Sequence, residues 1–477
     1  MASANDGLNA IESRHIDYVP EKERHGKVWR QGPFWFLGNF QPFTVSIGLL
    51  APVLGLNLWW SIVATVTGVL FGTLFMAAHA AQGPKLGLPQ MIQSRAQFGY
   101  VGVIFPLLAS TFTFVAFLVV DTVILKIGIK SLFGWNTNVV AVALMVLTVI
   151  IAIYGHDWIH RVFIALFFAS FPFWIITTVG LFSYHVTVAA STSKLGFSTA
   201  GFFALFASAA SYNITYAPYV SDYTRYLPTA TKSSSLISSV FWGGSLSPIW
   251  LIPLGSWLAI YLGTADALHG LSEAGNHTIA HCGTILVVLS TLALVATMGM
   301  GAYSGMLSVV TAIDSFRPVA TGAKARVAVI VVLGVIAGFF GILFNVASSA
   351  VYDALTIMLY VLAPWTAINL IDFYAVRHGK FAITDFFNPN GIYGRWGTKG
   401  LIAYFVGIAV EVPFMYLAPY YTSWGVKQLN YVDISWIIGL FVSGILYFVI
   451  TRGTDRTAEN AAVAASAAAL AQGTEVR

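Results

Sequence analysis

The feature that most limits what this chain can fold into is a series of long apolar runs. Twelve are legible, at about 33–54, 58–82, 101–129, 138–154, 159–185, 198–220, 236–263, 279–312, 324–345, 350–376, 400–420 and 433–451. Roughly 20 apolar residues cross the hydrocarbon core of a bilayer as a helix. The chain therefore reads as an all-α integral membrane protein with 12 transmembrane helices. Composition agrees: only 9% of the 477 residues are charged, against about 25% in soluble domains, and the mean hydropathy is +0.78. The polar N-terminus has no apolar core of the kind a cleavable signal peptide carries. The single cysteine, Cys282, excludes an intrachain disulfide.

The net charge of +5 is informative through its distribution. Twelve spans put both termini on one side. The terminal segments and even-numbered loops hold 20 of the 24 Lys and Arg, from Arg14 to Arg477; the remainder are Lys126, Lys130, Lys194 and Lys427. Positive charge concentrates on the cytoplasmic side, so both termini are expected to be cytoplasmic and the protein to sit in the plasma (inner) membrane.

Two runs are not ordinary apolar helices. The first, FWFLGNFQPFTVSIGLL, has Asn39, Gln41 and Pro42 at its centre; the sixth, GFFALFASAASYNITYAPYVSDYTRYLP, holds Ser211, Tyr212, Asn213, Thr215 and Pro218. Proline removes a backbone donor, and non-helical backbone at membrane depth survives only where protein or a water-filled cavity covers it. Proline kinks are tolerated in membrane helices, so either break alone could be a bland kink. Here the breaks fall at the first span of each of two sets of five, which points to a transporter site built on inverted repeats. An odd repeat length forces the second copy into opposite topology.

The third run carries a carboxylate, Asp121, about twenty residues in. A charge at that depth costs on the order of 3 kcal/mol. It implies a cavity, a partner or a proton. A structural pairing with a neighbouring helix is the bland alternative.

Four linear motifs resemble one family. They are GPKLGLPQMIQSRAQFGY after span 2, YVSDYTRYLP ending span 6, LAPWTAINLIDFYAVRHGKF ending span 10, and NPNGIYGRWG. Together they are similar to the nucleobase:cation symporter-1 family, the purine–cytosine, allantoin and hydantoin permeases, from about residue 30 to 420. The resemblance implies a leucine-transporter-type fold of two inverted five-helix repeats plus two further helices. In these terms, 1–30 is a cytoplasmic segment, 31–190 the first repeat, 191–380 the second, 381–452 spans 11 and 12, and 453–477 a cytoplasmic tail. It also implies alternating access and a substrate site between spans 1, 3, 6 and 8.

In similar permeases span 3 carries a Trp that stacks on the heterocycle and, four residues later, an amide that bonds its edge. The matching positions are Phe117 and Asp121; a spacing of four puts both on one helix face, with Ser110 and Phe114 extending the stripe. Phe lacks the indole donor, and an ionised carboxylate only accepts. Asp121 is therefore a candidate both for substrate binding and for carrying the coupling proton. The resemblance adds Gln41 and Asn39 in span 1, Tyr212, Asn213 and Tyr216 in span 6, and Ser304 in span 8; capping of a half-helix competes as a role for Asn39. Sodium-binding members place two adjacent hydroxyl residues early in span 8. This chain reads Ala296-Thr297-Met298-Gly299, which leaves Thr297 alone and favours protons over sodium.

The function expected is secondary active import of a small planar N-heterocycle by cation symport. Cytosine or a purine leads, with allantoin, hydantoin, uracil and thiamine behind. No organic cofactor and no nucleic acid are expected, and the coupling ion is H+ or Na+. Two rivals belong to other classes: a metalloenzyme using His156-Asp157-x-x-His160 or His277-x-x-x-His281, and a passive channel. Glu411 in span 11 is expected to pair or to face an oligomer contact, Asp222 and Arg225 to form a local pair, and Asp314, Asp353 and Asp372 to reach the interface from span ends.

Overall fold

The computed structural model describes residues 16–184, 194–319 and 323–473. Along the chain, α1 (Gln31–Gly38) and α2 (Pro42–Gly48) are two short helices separated by an extended residue. Next come α3 (Leu58–Ala80), α4 (Ile104–Phe133), α5 (Thr137–Tyr154) and α6 (His156–Gly180). A second short pair follows, α7 (Thr199–Ile214) and α8 (Val220–Thr224). The long helices resume with α9 (Ser233–Trp257), then α10 (Ala267–Thr278), α11 (Cys282–Asp314), α12 (Ala323–Leu343) and α13 (Ala347–Ile371). The described chain ends with α14 (Thr398–Glu411), α15 (Ser435–Thr451) and α16 (Thr457–Ala471). The only strands among the described residues are the two-residue pair Tyr416–Leu417 and Tyr421–Thr422.

Eight helices among the described residues are long and apolar enough to cross a membrane. They fall on the expected spans 2, 3, 4, 5, 7, 8, 9 and 10. Spans 1 and 6 appear as the two broken pairs, and span 11 stops after 14 residues, where Pro413 follows. The α10 helix was not anticipated. It begins where the Asp266 carboxylate accepts the N–H groups of Leu268 and His269, an ordinary N-cap.

Local chemistry explains both breaks. Gln41 is extended, and its side-chain oxygen accepts the Phe43 N–H at 2.5 Å. Pro42 then occupies the first helical position, where a missing N–H costs nothing. In the second pair, Pro218 lies in the turn between Ile214 and Val220, and the Thr215 hydroxyl donates to the Tyr212 carbonyl at 2.7 Å. Residues 38–51 and 208–225 are buried throughout, so the irregular backbone is covered, as the membrane interior demands.

Small residues seat the broken pairs against continuous helices. A Cβ at Gly255 of α9 would sit 2.0 Å from the Val45 carbonyl oxygen of α2, and one at Gly72 of α3 would sit 2.2 Å from that of Ala210 in α7. Glycine at such points allows backbones to touch. The first broken pair thus packs on the seventh expected span, and the second on the second.

Contacts gather the N-terminal segment, several loops and the tail on one face. Arg24 donates to the Pro84 carbonyl at 2.6 Å and Arg95 to the Phe386 carbonyl at 2.8 Å. Arg377 bonds Glu459 of α16. Much of the positive charge of the sequence lies here, as the grouping of even-numbered loops anticipated.

Two expectations about acidic residues need correction. Asp314 and Asp372 do not reach an interface: they are 3% and 0% exposed. Asp314 pairs with Arg95 at 3.0 Å, and Asp372 with Arg377. Glu411 is also fully buried, its carboxylate resting on Gly439, and neither oxygen has a hydrogen-bond partner among the described residues. It therefore neither pairs nor faces outward. In each case helix packing covered a residue that, by its place in the sequence, could have reached water.

Candidate functional site

The two breaks face each other across a small cavity whose walls are mainly aromatic. Gln41 and Phe43 come from the first broken pair, Phe114, Phe117, Leu118 and Asp121 from α4, Tyr212, Tyr216 and Tyr219 from the second pair, and Thr297, Met298 and Gly301 from α11. The expected meeting of spans 1, 3, 6 and 8 is what the packing produces. About 20 Å³ is open to the centre of a water molecule, enough for a water but not for a heterocycle. This is a closed arrangement that must widen to admit one.

Rings define the shape. Phe43 stacks on Tyr212 with centroids 5.3 Å apart and planes 16° from parallel. Phe117 stands edge-on to both, 5.3 Å from Phe43 and 6.4 Å from Tyr212. Phe114 meets Tyr219 edge-on at 5.0 Å. Flat apolar faces of this kind suit a flat π-system. The polar edge is concentrated on the Tyr212 hydroxyl, which receives the Gln41 amide at 2.9 Å and lies 2.9 Å from the Thr44 hydroxyl. Tyr216 points its hydroxyl toward that of Tyr212 at 3.3 Å.

Asp121 closes the far wall. It is 3% exposed, and its Oδ1 is buried without a hydrogen-bond partner among the described residues. A buried polar atom left unpaired costs about 1–3 kcal/mol, more when charged. The bland alternative, a structural pair with a neighbouring helix, is not what the packing provides.

Of the residues proposed from sequence, Gln41, Phe117, Asp121, Tyr212, Tyr216 and Thr297 line this cavity. Asn39, Asn213 and Ser304 do not. Asn39 donates to the Asn213 side chain at 3.1 Å and to the Gly244 carbonyl at 3.0 Å, while Asn213 donates to Thr73 at 2.6 Å. These two amides tie the breaks to each other and to α3 and α9. Ser304 is buried one helical turn from Gly301, its hydroxyl unpartnered. Phe43, Leu118, Tyr219, Met298 and Gly301 were missed. Phe43 had a signal, lying two residues past Gln41, but nothing in the spacing separates Tyr219 from Tyr223.

The one hydroxyl of the Ala296–Gly299 stretch of α11 lies at the first break. Thr297 donates to its own helix at Ala293 (3.2 Å) and approaches the Gly38 carbonyl at 3.5 Å. Sodium needs several oxygens, and here one hydroxyl accompanies the break carbonyls. Among the described residues no group of three His, Cys, Asp or Glu could hold a metal. The side chains of His156, Asp157 and His160 lie outside the described residues; His277 packs on Tyr184 at 4.0 Å.

Comparison with known proteins agrees with this geometry. Residues 18–439 match the family described as permeases for cytosine/purines, uracil, thiamine and allantoin. A Bacillus subtilis (strain 168) protein, YxlA, provisionally named a purine-cytosine permease, is 33% identical over 450 residues, 93% of this chain and 96% of that one. Two solved structures share the fold: Mhp1, described as a nucleobase-cation-symport-1 family transporter, closed with bromovinylhydantoin bound (TM-score 0.71, 16% identity, 95% and 100% of the two chains), and Mhp1 facing inward (0.68, 17%, 95% and 98%). On the extent of these matches the chain belongs to the family of permeases for cytosine and purines, uracil, thiamine and allantoin, and it is a multi-pass membrane transporter rather than an enzyme.

Proposed function

We propose that the protein is a secondary active symporter that imports a small planar N-heterocycle by alternating access, driven by protons rather than sodium. The first candidates are cytosine and a purine, with allantoin, hydantoin, uracil and thiamine as the others. The observation that carries the reading is Asp121, its buried Oδ1 without a hydrogen-bond partner among the described residues, beside aromatic rings from two broken spans.

The chemistry follows from the donor and acceptor inventory. A protonated carboxyl group offers one donor and one acceptor, the same pair as an amide; an ionised one only accepts. A heterocycle edge with adjacent N–H and acceptor atoms pairs with the first form. Protonated Asp121 then grips substrate while carrying the coupling proton, and both are released together when the cavity opens to the other side. Phe43, Phe117 and Tyr212 supply stacking faces, and Gln41, Tyr212 and Tyr216 supply further hydrogen bonds. The lone Thr297 hydroxyl supports protons over sodium. The mutual exchange of packing partners, broken pair one on span 7 and broken pair two on span 2, supports two inverted five-helix repeats plus two further helices, with the division at 31–190 and 191–380. The concentration of Lys and Arg on the face holding both described chain ends supports cytoplasmic termini in the inner membrane.

Proteoliposome uptake tests the reading, with a panel of nucleobases, ureides and hydantoins as competitors under separate proton and sodium gradients. One panel member should accumulate under the pH gradient alone. In Asp121→Asn, whose amide permanently mimics the protonated acid, substrate should still bind but should only equilibrate. Unchanged pH-driven accumulation in that variant would remove Asp121 as the proton carrier.

A further inference from the structure

Outside the central cavity, a groove of about 1060 Å³ opens beside α1, between α6 and α9, on the face that holds residues 25–32. Its inner walls are apolar, and several wall residues face outward: Phe168 is 72% exposed, Trp242 53% and Leu246 49%. Along α6 it runs from Arg161 to Phe171, about 15 Å at 1.5 Å per residue. That is half of the roughly 30 Å hydrocarbon thickness of a bilayer, the depth of one leaflet.

The mouth of the groove has a different chemistry. Lys27, Arg30 and Arg161 line it, and no carboxylate does among the described residues. Lys27 and Arg30 are held in place by the backbone around them. The His25 N–H donates to the Tyr226 carbonyl at 2.6 Å, and Ser239 donates to the Val28 carbonyl at 3.0 Å. Three cations at the mouth of an apolar slot one leaflet deep complement a lipid with an anionic headgroup. Anionic lipid headgroups are recognised by basic residues of this kind at the membrane surface.

We propose that this groove binds one anionic phospholipid of the leaflet on the N-terminal face, its phosphate at Lys27, Arg30 and Arg161 and its acyl chains against Phe168, Trp242 and Leu246. The α1 half-helix forms the groove wall and joins the rest of the chain through the non-helical break at Asn39–Gln41. A lipid lodged there braces that half-helix and leaves the substrate cavity untouched. The site depends on membrane embedding, not on which heterocycle is carried.

The test uses the full-length protein reconstituted in vesicles of equal phosphatidylglycerol and phosphatidylcholine, each in turn carrying a photoactivatable acyl chain. Phosphatidylglycerol should label peptides of 161–171 and 238–246 in preference to phosphatidylcholine. The preference should fall roughly fivefold for each cation removed in the series Lys27→Gln, Arg30→Gln and Arg161→Gln. Labelling of these peptides equal to that of the outward-facing helix Ala323–Leu343, or equal for the two lipids, would overturn the site. The wild-type labelling pattern decides the matter even where a variant fails to fold. A change in substrate panel or coupling ion would leave the result unaffected.

Discussion

Asp121 and Asp372 are both buried aspartates in one helical bundle, 3% and 0% exposed, yet their surroundings are opposite. Asp372 receives Gln97 at 2.5 Å, Tyr447 at 2.8 Å and the Arg377 guanidinium. The hydrogen bonds continue from there. Asn369 lies 3.5 Å from Gln97 and receives Gln82 at 2.7 Å; Gln82 receives Gln90 at 2.7 Å; and the Gln90 N–H donates to Asp222 at 3.0 Å. Through Arg377 the chain reaches Glu459 in the tail helix. Asp121 has rings around it and an oxygen with no partner. The first arrangement locks loops, spans and tail on one face. The second leaves a polar atom for something the protein does not itself supply. Burial of a charge-bearing side chain therefore does not by itself point to transport; the proposed role of Asp121 rests on burial without a partner for Oδ1 beside a cavity.

Removing Asp372 should have the largest effect. Asp372→Ala takes from the half-buried Arg377 one of its two carboxylate partners and leaves Gln97 and Tyr447 without their acceptor; it should cost about 3 kcal/mol, read as a large drop in melting temperature and in folded yield from membranes. A variant that melts with the wild type would show that the polar chain is decorative.

Next comes Asn213→Ala, which leaves Asn39 and Thr73 short of a partner. It should cost about 1–3 kcal/mol, with transport lost in proportion to folded protein; normal stability with lost binding would instead return Asn213 to the substrate site. The smallest stability change should be that of Asp121→Asn. It keeps the shape of the side chain and breaks no hydrogen bond seen among the described residues, so its unfolding free energy should stay within about 1 kcal/mol of the wild type. A destabilisation matching that of Asp372→Ala would mean that Asp121 is a strut as well.

Much of this was legible in the linear sequence. Hydropathy placed eight of the long helices because each must bury or expose a run of apolar residues of fixed length. The break at Gln41-Pro42 was legible because proline and an N-capping side chain act on their immediate neighbours. The stripe Phe117–Asp121 was legible because residues four apart share a helix face. Less legible was anything that depends on what a second helix brings. Asn39, weighed as a cap or a substrate contact, and Asn213, weighed as a substrate contact, bond to each other across 174 residues, which no local spacing could show. Asp372 sits near a span end, where a side chain can reach water, unless loops fold over it, as they do here.

Sequence alone thus determined the membrane class, the positions of eight long spans, the paired breaks, the charge asymmetry and the family, since these follow from local composition, short-range periodicity and contiguous motifs. Tertiary structure decided which polar groups were satisfied. It bonded the Asn39 amide N–H to Asn213 while leaving Asn39 Oδ1 without a partner among the described residues, covered Glu411, netted Asp372, and left Asp121 Oδ1 without one beside the aromatic cavity. Hydrogen-bond satisfaction at membrane depth is settled between helices distant in sequence, and only packing brings those helices together.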